Sequence, residues 1–350
     1  MMTPLTRLLG SELPIVLGPF GGASSVELTA TVSDLGGLGS YGLYGYDSSR
    51  ITDVAAQLRA RTARPFALNL WLPSSDEVQP ADVDLTPHAG IAELLAEMGV
   101  HPEPPAQFLP SFDEQFGAAL EARPSVLSFV YGVPSAEVVQ RAHAAGIAVV
   151  ATATTVPEAV ALEAGGVDAI IASGAEAAGH RVSFMHAPSA GLVGTFALVP
   201  QVTDAVRVPV LAAGGISDRR GVAAAFALGA QGVVVGTAFL RTRQSAICDS
   251  YRRAILHAAA HDTVLTSAMS GRLSRGLPNR AVRTLEAERI LPFPAQNWLT
   301  GQFRAEAARR DQADLLSLWV GQAARLAVFA EAPDLFRELV AGLPAAATGH

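Results

Sequence analysis

The alternation of short apolar segments with longer Ala-rich segments constrains the fold of this chain more than any other feature. Between residues 14 and 239, runs rich in β-branched residues alternate with segments whose apolar residues recur at the helical period. This alternation is typical of βα units that build a parallel sheet. Eight strands are predicted, at 14–19, 38–42, 66–71, 126–132, 147–154, 168–174, 208–215 and 232–239. Eight such units close a (β/α)8 TIM barrel, which is an α/β fold.

Helices are predicted between these strands, and the composition suits a single large core. The helical segments include 25–35, 52–63, 135–145, 157–164 and 218–228, several of which begin with Ser, Thr or Pro. Half of the 350 residues are hydrophobic and 16% are charged, as expected for a chain with an extensive interior. We therefore predict one barrel at residues 1–262 instead of two average domains.

Two stretches depart from the βα repeat. Residues 72–111 follow the third strand and are rich in Pro and acidic groups, so we predict an insertion over the barrel mouth. Residues 263–350 are predicted to form a helical C-terminal extension, with Ala/Leu periodicity at 313–327 and 332–343. The polar start of this extension, from Ser270-Gly271-Arg272 to Asn279-Arg280, is expected to fold back on the active face.

The charge and the apolar pattern argue against two classes of partner. A formal net charge of −7 and a pI near 5.6 give no electrostatic reason to bind nucleic acid or an anionic membrane. No stretch of 18 uninterrupted apolar residues and no basic, apolar leader is present, so a cytoplasmic location is expected. We expect a small-molecule substrate.

All 25 basic residues are Arg, and the sequence contains no Lys. Schiff-base catalysis and the Walker-type phosphate loop both need a Lys, so neither chemistry is available. The single Cys248 excludes an internal disulfide and a Cys-based metal cluster. His257 and His261 stand four residues apart, but no third ligand lies at a recognisable spacing, and no metal site is predicted.

Paired glycines at the ends of the last two predicted strands indicate a phosphate site. Gly214-Gly215 and Gly236-Thr237 each follow an apolar run, at the end where the barrel opens. Glycine allows a ligand oxygen to approach the backbone N–H groups, and these two loops bind phosphate in many barrels. The alternative is that the glycines only terminate strands.

Polar side chains on or after two other strands are candidates for the same site. The Gly- and Ala-rich turn after the sixth strand brings Glu176 and His180 to the catalytic face. From spacing alone, His180 is either a proton acceptor or donor, or a loop histidine bonded to backbone, and His186 shares both interpretations. Asn69 interrupts an apolar strand, so its amide needs a partner, either a bound ligand or another strand.

One nucleotide-binding pattern is rejected because of its context. The segment at 37–42 spells G-x-G-x-x-G. It follows a helix and enters a strand, whereas the dinucleotide fingerprint runs from a strand into a helix. We do not interpret it as a Rossmann motif.

Several of these segments, taken in order, resemble the nitronate monooxygenase family, formerly called 2-nitropropane dioxygenases. The resemblance covers most of the chain. It is carried by the segments 14–20, 36–39, 173–180, 192–201, 213–216, 236–237 and 318–322, together with Asn69. The individual motifs are weak, but their order and spacing along eight βα units are specific.

The resemblance implies bound FMN and a catalytic histidine at His180. The positions that it assigns to cofactor binding are Asn69, Ser173, Ala178, Gly214, Gly215, Val234, Val235, Gly236 and Thr237. The chain departs from the family pattern at Ser173, where Gln is usual, and at Ala178, where a second glycine usually precedes the His. A Lys near the flavin is also excluded.

The implied activity is oxidation of an alkyl nitronate, or of a nitroalkane, by FMN and O2 to a carbonyl compound and nitrite. In such enzymes the cofactor supplies the electron chemistry and the protein positions the substrate. Two alternatives stay open at this point. One is an NAD(P)H-dependent flavin reductase of quinones or enoyl thioesters, and the other is a barrel that binds flavin or a phosphate ligand without catalysis.

Overall fold

Eight short, almost entirely buried strands run parallel and form a barrel that is surrounded by helices. The structure is a computed structural model and describes residues 3–348. The barrel strands are β1 Ile15–Leu17, β2 Gly39–Gly42, β3 Phe66–Trp71, β4 Val126–Val130, β5 Ala148–Ala153, β6 Ala169–Ser173, β8 Val210–Ala213 and β9 Gly232–Val235. Strands β7 Gly179–His180, β10 Val264–Thr266 and β11 Ser274–Gly276 form a second, antiparallel sheet.

The helices follow the predicted alternation, and additional ones occur in the insertion and the extension. They are α1 Pro4–Leu9, α2 Val26–Asp34, α3 Ser48–Arg61, α4 Ala89–Met98, α5 Phe112–Glu121, α6 Ala136–Ala144, α7 Val156–Ala164, α8 Thr195–Ala205, α9 Arg219–Ala227, α10 Thr237–Leu240, α11 Asp249–His257, α12 Arg280–Glu286, α13 Ala295–Arg309, α14 Ala332–Val340 and α15 Ala345–Thr348. Between residues 3 and 348, none of them combines the length and the apolar character that a membrane span requires.

The strand order confirms the predicted (β/α)8 barrel. The order is β1-β9-β8-β6-β5-β4-β3-β2, and a parallel bridge between Val16 and Leu38 brings β1 beside β2. Alternate strand residues fill the barrel interior, and Leu5 and Leu9 of α1 pack against them at the amino-terminal end. The carboxyl ends of the strands therefore face the opposite end, where the βα loops lie.

Two predicted elements are wrong in their extent. The last barrel strand ends at Val235 and not at residue 239, because Gly236 leaves the extended conformation at φ −106° and ψ −83° and α10 begins at Thr237. The segment 313–327 forms no continuous helix but two short 3₁₀ turns, Ala313–Leu315 and Ala324–Leu326. Most of its apolar side chains are buried although the segment is irregular, and Leu326 is exposed, so the Ala/Leu spacing reflects packing instead of a helical face.

The C-terminal extension reaches the catalytic face by pairing with a barrel loop. Strand β11 pairs with β10 on one side and with β7 on the other, placing Ser274 opposite His180. Helix α13 supports this hairpin, since Gln296 and Thr300 donate hydrogen bonds to the carbonyls of Ala268 and Met269 at 2.6 Å each. The extension thus folds back on the active face, as its polar start predicts.

The insertion after β3 packs largely on this extension. Helix α4 contacts α12 and α13. Asp76 forms a bidentate ion pair with Arg272, at 3.0 Å to Nε and 2.5 Å to Nη2. The beginning of the insertion therefore lies at the barrel mouth, held by a residue of the extension.

Candidate active site

The ends of three adjacent strands bring most of the predicted cofactor residues together. Strand β6 pairs with β8, and β8 pairs with β9, with Ala213 opposite both Ser173 and Val234. Each strand is followed by a turn that contains predicted site residues. The shared edge therefore joins Ser173 and Ala178, Gly214 and Gly215, and the segment 234–237.

The glycines at this edge form a cradle of unpaired backbone donors. Gly214 and Gly215 adopt φ of +100° and +74°, a conformation that favours glycine. The N–H groups of Gly215 and Gly236 donate to no acceptor within residues 3–348, whereas that of Gly214 continues the β8–β9 ladder, in which Ala213 pairs with Val234. A Cβ added to Gly215 would meet no atom nearer than 3.9 Å, and one on Gly236 none nearer than 3.7 Å. The cradle therefore has room for an anion, and N–H groups to bind it.

Thr237 and Gly321 close one side of the cradle. The Thr237 Oγ1 accepts a hydrogen bond from the Gly321 N–H at 3.1 Å, and its own hydroxyl proton has no acceptor among the described residues. A Cβ on Gly321 would lie 2.8 Å from the Glu176 carbonyl and 3.3 Å from the Ala178 nitrogen. The extension can cross the site here only because residue 321 lacks a side chain.

Asn69 lies on β3, away from the glycine cradle and separated from β6 by β4 and β5. Its amide Nδ2 donates to the Ser128 carbonyl at 3.1 Å and to the Ser128 hydroxyl at 3.0 Å. The Asn69 amide therefore has a structural partner on the neighbouring strand β4, which is one of the two alternatives that the sequence left open. The Oδ1 atom accepts no hydrogen bond from residues 3–348, so an acceptor remains for a ligand.

Glu176 is a structural residue instead of a catalytic one. Its carboxylate accepts from the Thr195 N–H at 3.0 and 2.9 Å and from the Thr195 hydroxyl at 2.8 Å. Thr195 is the first residue of α8, whose preceding residue Gly194 provides no side-chain cap. The Glu176 carboxylate therefore caps the N-terminus of α8, where the helix dipole favours a negative charge.

His180 is enclosed by two tryptophans and one serine. Its ring lies 5.1 Å from Trp71 in an edge-on arrangement and 5.3 Å from Trp319. Its Nε2 atom lies 2.8 Å from the Ser270 Oγ. Trp71 ends β3, whereas Trp319 and Ser270 come from the extension. The histidine is therefore held between the barrel and the extension.

The surroundings of His180 keep its imidazole neutral. Burial lowers the pKa of His180 from its ordinary value to about 3, and the positive charges of Arg272 and Arg304 contribute to the same shift. No carboxylate pairs with the ring among the described residues. A neutral imidazole keeps one unprotonated nitrogen at neutral pH, which is the form that a general base requires, and the lowered pKa makes this nitrogen a weak base.

Arg304 is an enclosed cation without a carboxylate partner in residues 3–348. Its guanidinium donates to the Ser317 hydroxyl at 2.8 Å and to the Asn297 carbonyl and amide oxygens at 2.8 and 2.7 Å. Burial lowers the pKa of Arg304 to about 10, which still leaves it protonated at neutral pH. An enclosed positive charge that lacks a counterion favours a nearby anion.

A polar cavity of about 390 Å3 adjoins this group of aromatic rings. It is lined by the start of the insertion, by Tyr131, by Arg272 and by the loop that carries Ser183 and His186. Arg272 lies over the rings of Tyr131 and Phe293, 4.3 and 3.8 Å from their centroids. The cavity is large enough for a small organic molecule.

Two donors beside this cavity lack partners among the described residues. The Tyr131 hydroxyl and the Arg272 Nη1 are buried, and neither makes a hydrogen bond. Tyr131 also adopts φ +72°, a strained conformation for a bulky residue. Strain and unpaired donors at a strand end are typical of binding sites.

Several site residues were missed by the sequence analysis. Trp71 and Tyr131 lie at the carboxyl ends of the predicted strands 66–71 and 126–132, and this position alone identifies them as candidates. Arg304 gave no signal, because it lies in a helix that the sequence analysis did not name. Trp319 and Gly321 lie in a segment that carried the family resemblance without a role being assigned to it.

The structure holds no candidate metal site within residues 3–348, where no three potential ligands of the His, Cys, Asp or Glu type come together. The ring of His261 is 88% exposed and lies near Asp262.

Comparison with known proteins identifies the family of this chain. A family model described as nitronate monooxygenase matches residues 2–342. A probable nitronate monooxygenase of Staphylococcus haemolyticus (strain JCSC1435) is 36% identical over 349 residues, covering 96% of this chain and 95% of that protein.

Two solved structures are similar to this chain over almost its whole length. The nitroalkane oxidase from Streptomyces ansochromogenes superposes with a TM-score of 0.88 at 34% identity, over 97% of this chain and 98% of that one. FabK from Thermotoga maritima superposes with a TM-score of 0.77 at 30% identity, over 97% and 95% of the two chains.

Proposed function

The chain belongs to the nitronate monooxygenase family and is an oxidoreductase, and from this premise we propose that it oxidises alkyl nitronates with FMN and O2. The products are a carbonyl compound and nitrite. The observation that carries the proposal is a neutral His180 between two tryptophans, close to the enclosed charge of Arg304.

The glycine cradle fits the phosphate of FMN. Unpaired N–H groups at Gly215 and Gly236, with the free hydroxyl proton of Thr237, offer donors without any Lys. The Asn69 Oδ1 offers an acceptor for a polar edge of the ring system. We assign Asn69, Ser173, Ala178, Gly214, Gly215 and 234–237 to the cofactor. When bound, FMN supplies the acceptor for the substrate's electrons.

The charges near His180 suit an anionic substrate. A nitronate carries its negative charge on the two oxygens of the nitro group. Arg304 has no carboxylate counterion among the described residues, whereas the charge of Arg272 is paired with Asp76 and Glu77 and only its Nη1 atom is left as a donor. Arg304 favours the anion over the neutral nitroalkane, because an enclosed cation is stabilised by a nearby negative charge.

His180 has a defined task for each form of substrate. With a neutral nitroalkane, its basic nitrogen removes the proton from the carbon beside the nitro group, which yields the nitronate. With a nitronate, no proton is removed and the ring positions the substrate carbon. Trp71 and Trp319 pack beside the ring, and burial keeps the imidazole neutral.

The division of the chain follows from these roles. We assign residues 1–262 to the cofactor-binding barrel, residues 72–111 to an insertion over the active face, and residues 263–350 to the packed extension. The extension contributes Ser270, Arg272 and Trp319 to the surroundings of His180. On this division, the isolated barrel lacks part of the site.

The test is anaerobic mixing of the purified, flavin-loaded protein with a nitronate, followed by its absorption spectrum. We expect loss of the oxidised flavin absorbance, and formation of nitrite after O2 is admitted. His180→Asn is expected to bind flavin normally and to lose at least roughly 100-fold in turnover of a neutral nitroalkane, since general bases contribute about 10²–10⁴.

His186→Asn is the matched control, because His186 lies on the same loop and lines the cavity without contacting His180. It is expected to retain turnover. Rapid flavin reduction by NADH but not by a nitronate would replace the proposal with the reductase alternative. A yellow protein that no donor reduces would establish a non-catalytic barrel.

A further inference from the structure

Ser270 holds the Nε2 side of His180 in a fully buried turn. The Ser270 side chain has no exposed surface, and its Oγ lies 2.8 Å from His180 Nε2. The same Oγ lies 3.1 Å from the Arg272 carbonyl and 3.3 Å from the Arg272 N–H. One hydroxyl thus meets three polar atoms, of which only the imidazole nitrogen can be either donor or acceptor.

The hydrogen-bonding capacity of this hydroxyl determines which nitrogen carries the proton. A serine hydroxyl has one proton to donate and two lone pairs to accept with. The Arg272 carbonyl can only accept, and it has no other donor among residues 3–348. The hydroxyl proton is therefore directed to that carbonyl. One lone pair receives the Arg272 N–H, and the other is left for a proton on His180 Nε2.

The opposite tautomer leaves buried groups unpaired. If Ser270 donated to Nε2, the Arg272 carbonyl would lose its only donor, at a residue that is 6% exposed. A buried acceptor without a partner is unfavourable, whereas the first arrangement satisfies every group.

The turn that carries Ser270 is held in place from outside. Gly271 adopts φ +86°, and its N–H donates to the Ser267 carbonyl at 2.8 Å. The carbonyls of the two residues before Ser270 accept from Gln296 and Thr300 of α13. Ser270 therefore cannot follow a rotation of the imidazole, and the ring must adapt to the hydroxyl.

We propose that Ser270 is a positioning residue that fixes the proton of His180 on Nε2 and leaves Nδ1 as the basic atom. Nδ1 forms no hydrogen bond with residues 3–348 and is not among their fully buried unpartnered atoms, so it opens on free space. It is the atom that meets a substrate proton. The assignment of the tautomer does not depend on the proposed function, whereas the effect of the tautomer on turnover rests on that function.

The direct test is nitrogen-15 NMR of the flavin-loaded protein with labelled histidine, near pH 7. The His180 signals are assigned by their loss in His180→Gln. We expect a protonated, pyrrole-type Nε2 and an unprotonated, pyridine-type Nδ1. The reverse pattern, or two protonated nitrogens, overturns the proposal. This measurement needs no substrate, so it is independent of whether nitronates are oxidised.

Ser270→Ala tests the role of the hydroxyl, and Ser267→Ala is its control in the same turn. The Ser267 side chain makes no hydrogen bond within the described residues and does not contact His180. Ser270→Ala is expected to show a mixture of His180 tautomers, and kcat for a neutral nitroalkane lower by roughly tenfold, because the base loses its fixed orientation.

KM for the nitronate is expected to change less than twofold in Ser270→Ala, since no proton is removed from that substrate. Ser267→Ala is expected to match the wild type in spectrum and rates. A wild-type spectrum and kcat in Ser270→Ala overturn the proposal. If Ser270→Ala does not fold, the spectrum of the wild-type protein decides.

Discussion

The depressed pKa of His180 predicts that this single residue makes the fold sensitive to mild acid. Burial, with the charges of Arg272 and Arg304, lowers the pKa of His180 to about 3 in the native state, whereas an unfolded chain has a pKa near 6.5. As the pH falls below 6.5, the unfolded state takes up a proton that the native state refuses. The free energy of unfolding therefore decreases toward acid, through the window from 6.5 to about 3.

The size of the effect follows from the difference between the two pKa values. One pH unit within the window corresponds to about 1.4 kcal/mol. Between pH 7 and pH 5, the free energy of unfolding is expected to fall by about 2 kcal/mol because of His180. This figure depends on the unfolded pKa and on the native value lying well below 5. It does not depend on where between 3 and 4 the native value lies.

The assay compares urea unfolding of the flavin-loaded wild type and of His180→Asn at pH 7 and pH 5. The variant lacks the titrating ring, so its loss of stability between the two pH values should be smaller by about 2 kcal/mol. His261→Asn is the control, because that ring is 88% exposed, and it should follow the wild type. Equal losses in the wild type and His180→Asn would refute the desolvation of His180.

Three further predictions concern the cofactor cradle and the charges around it. Gly215→Ala and Gly99→Ala both place a side chain at positive φ, +74° and +68°, so each should lower the free energy of unfolding by about 1 kcal/mol. Only Gly215→Ala should weaken FMN binding, by roughly tenfold in a fluorescence titration. Glu176→Gln should lower the free energy of unfolding by about 1 kcal/mol in urea, because the charge that caps α8 is lost. Arg304→Met removes an enclosed positive charge, so it should raise the pKa of His180 in an NMR titration. For the same reason it should raise KM for a nitronate more than KM for a neutral nitroalkane.

The barrel could be predicted from the sequence because parallel strands are buried on both faces. Strands at 66–71 and 126–130 are apolar almost throughout, and eight such strands between helices are the number that closes a TIM barrel. The glycine pairs at 214–215 and 236 were equally readable, since they stand at strand ends and need a conformation or a close approach that other residues lack.

The surroundings of His180 could not be predicted, because they depend on contacts between distant segments. Ser270 lies 90 residues along the chain from His180, and Trp319 lies in an irregular segment that local periodicity assigns to a helix. The capping role of Glu176 could not be predicted for the same reason, since its partner Thr195 belongs to a helix whose start carries no capping signal of its own. The local sequence pattern predicts helices and strands, whereas contacts between distant segments decide the role of a polar side chain.

The pairing of β7 with β11 has a consequence for the order of events during synthesis on the ribosome. The strand that carries His180 finds its only partner in the described structure at Ser274-Arg275, and Gly321 contacts Thr237 later still. All eight barrel strands have been synthesised by residue 235. A nascent chain thus has all its barrel strands before its histidine is fixed, and the proposed site is complete only when the last fifth of the chain emerges.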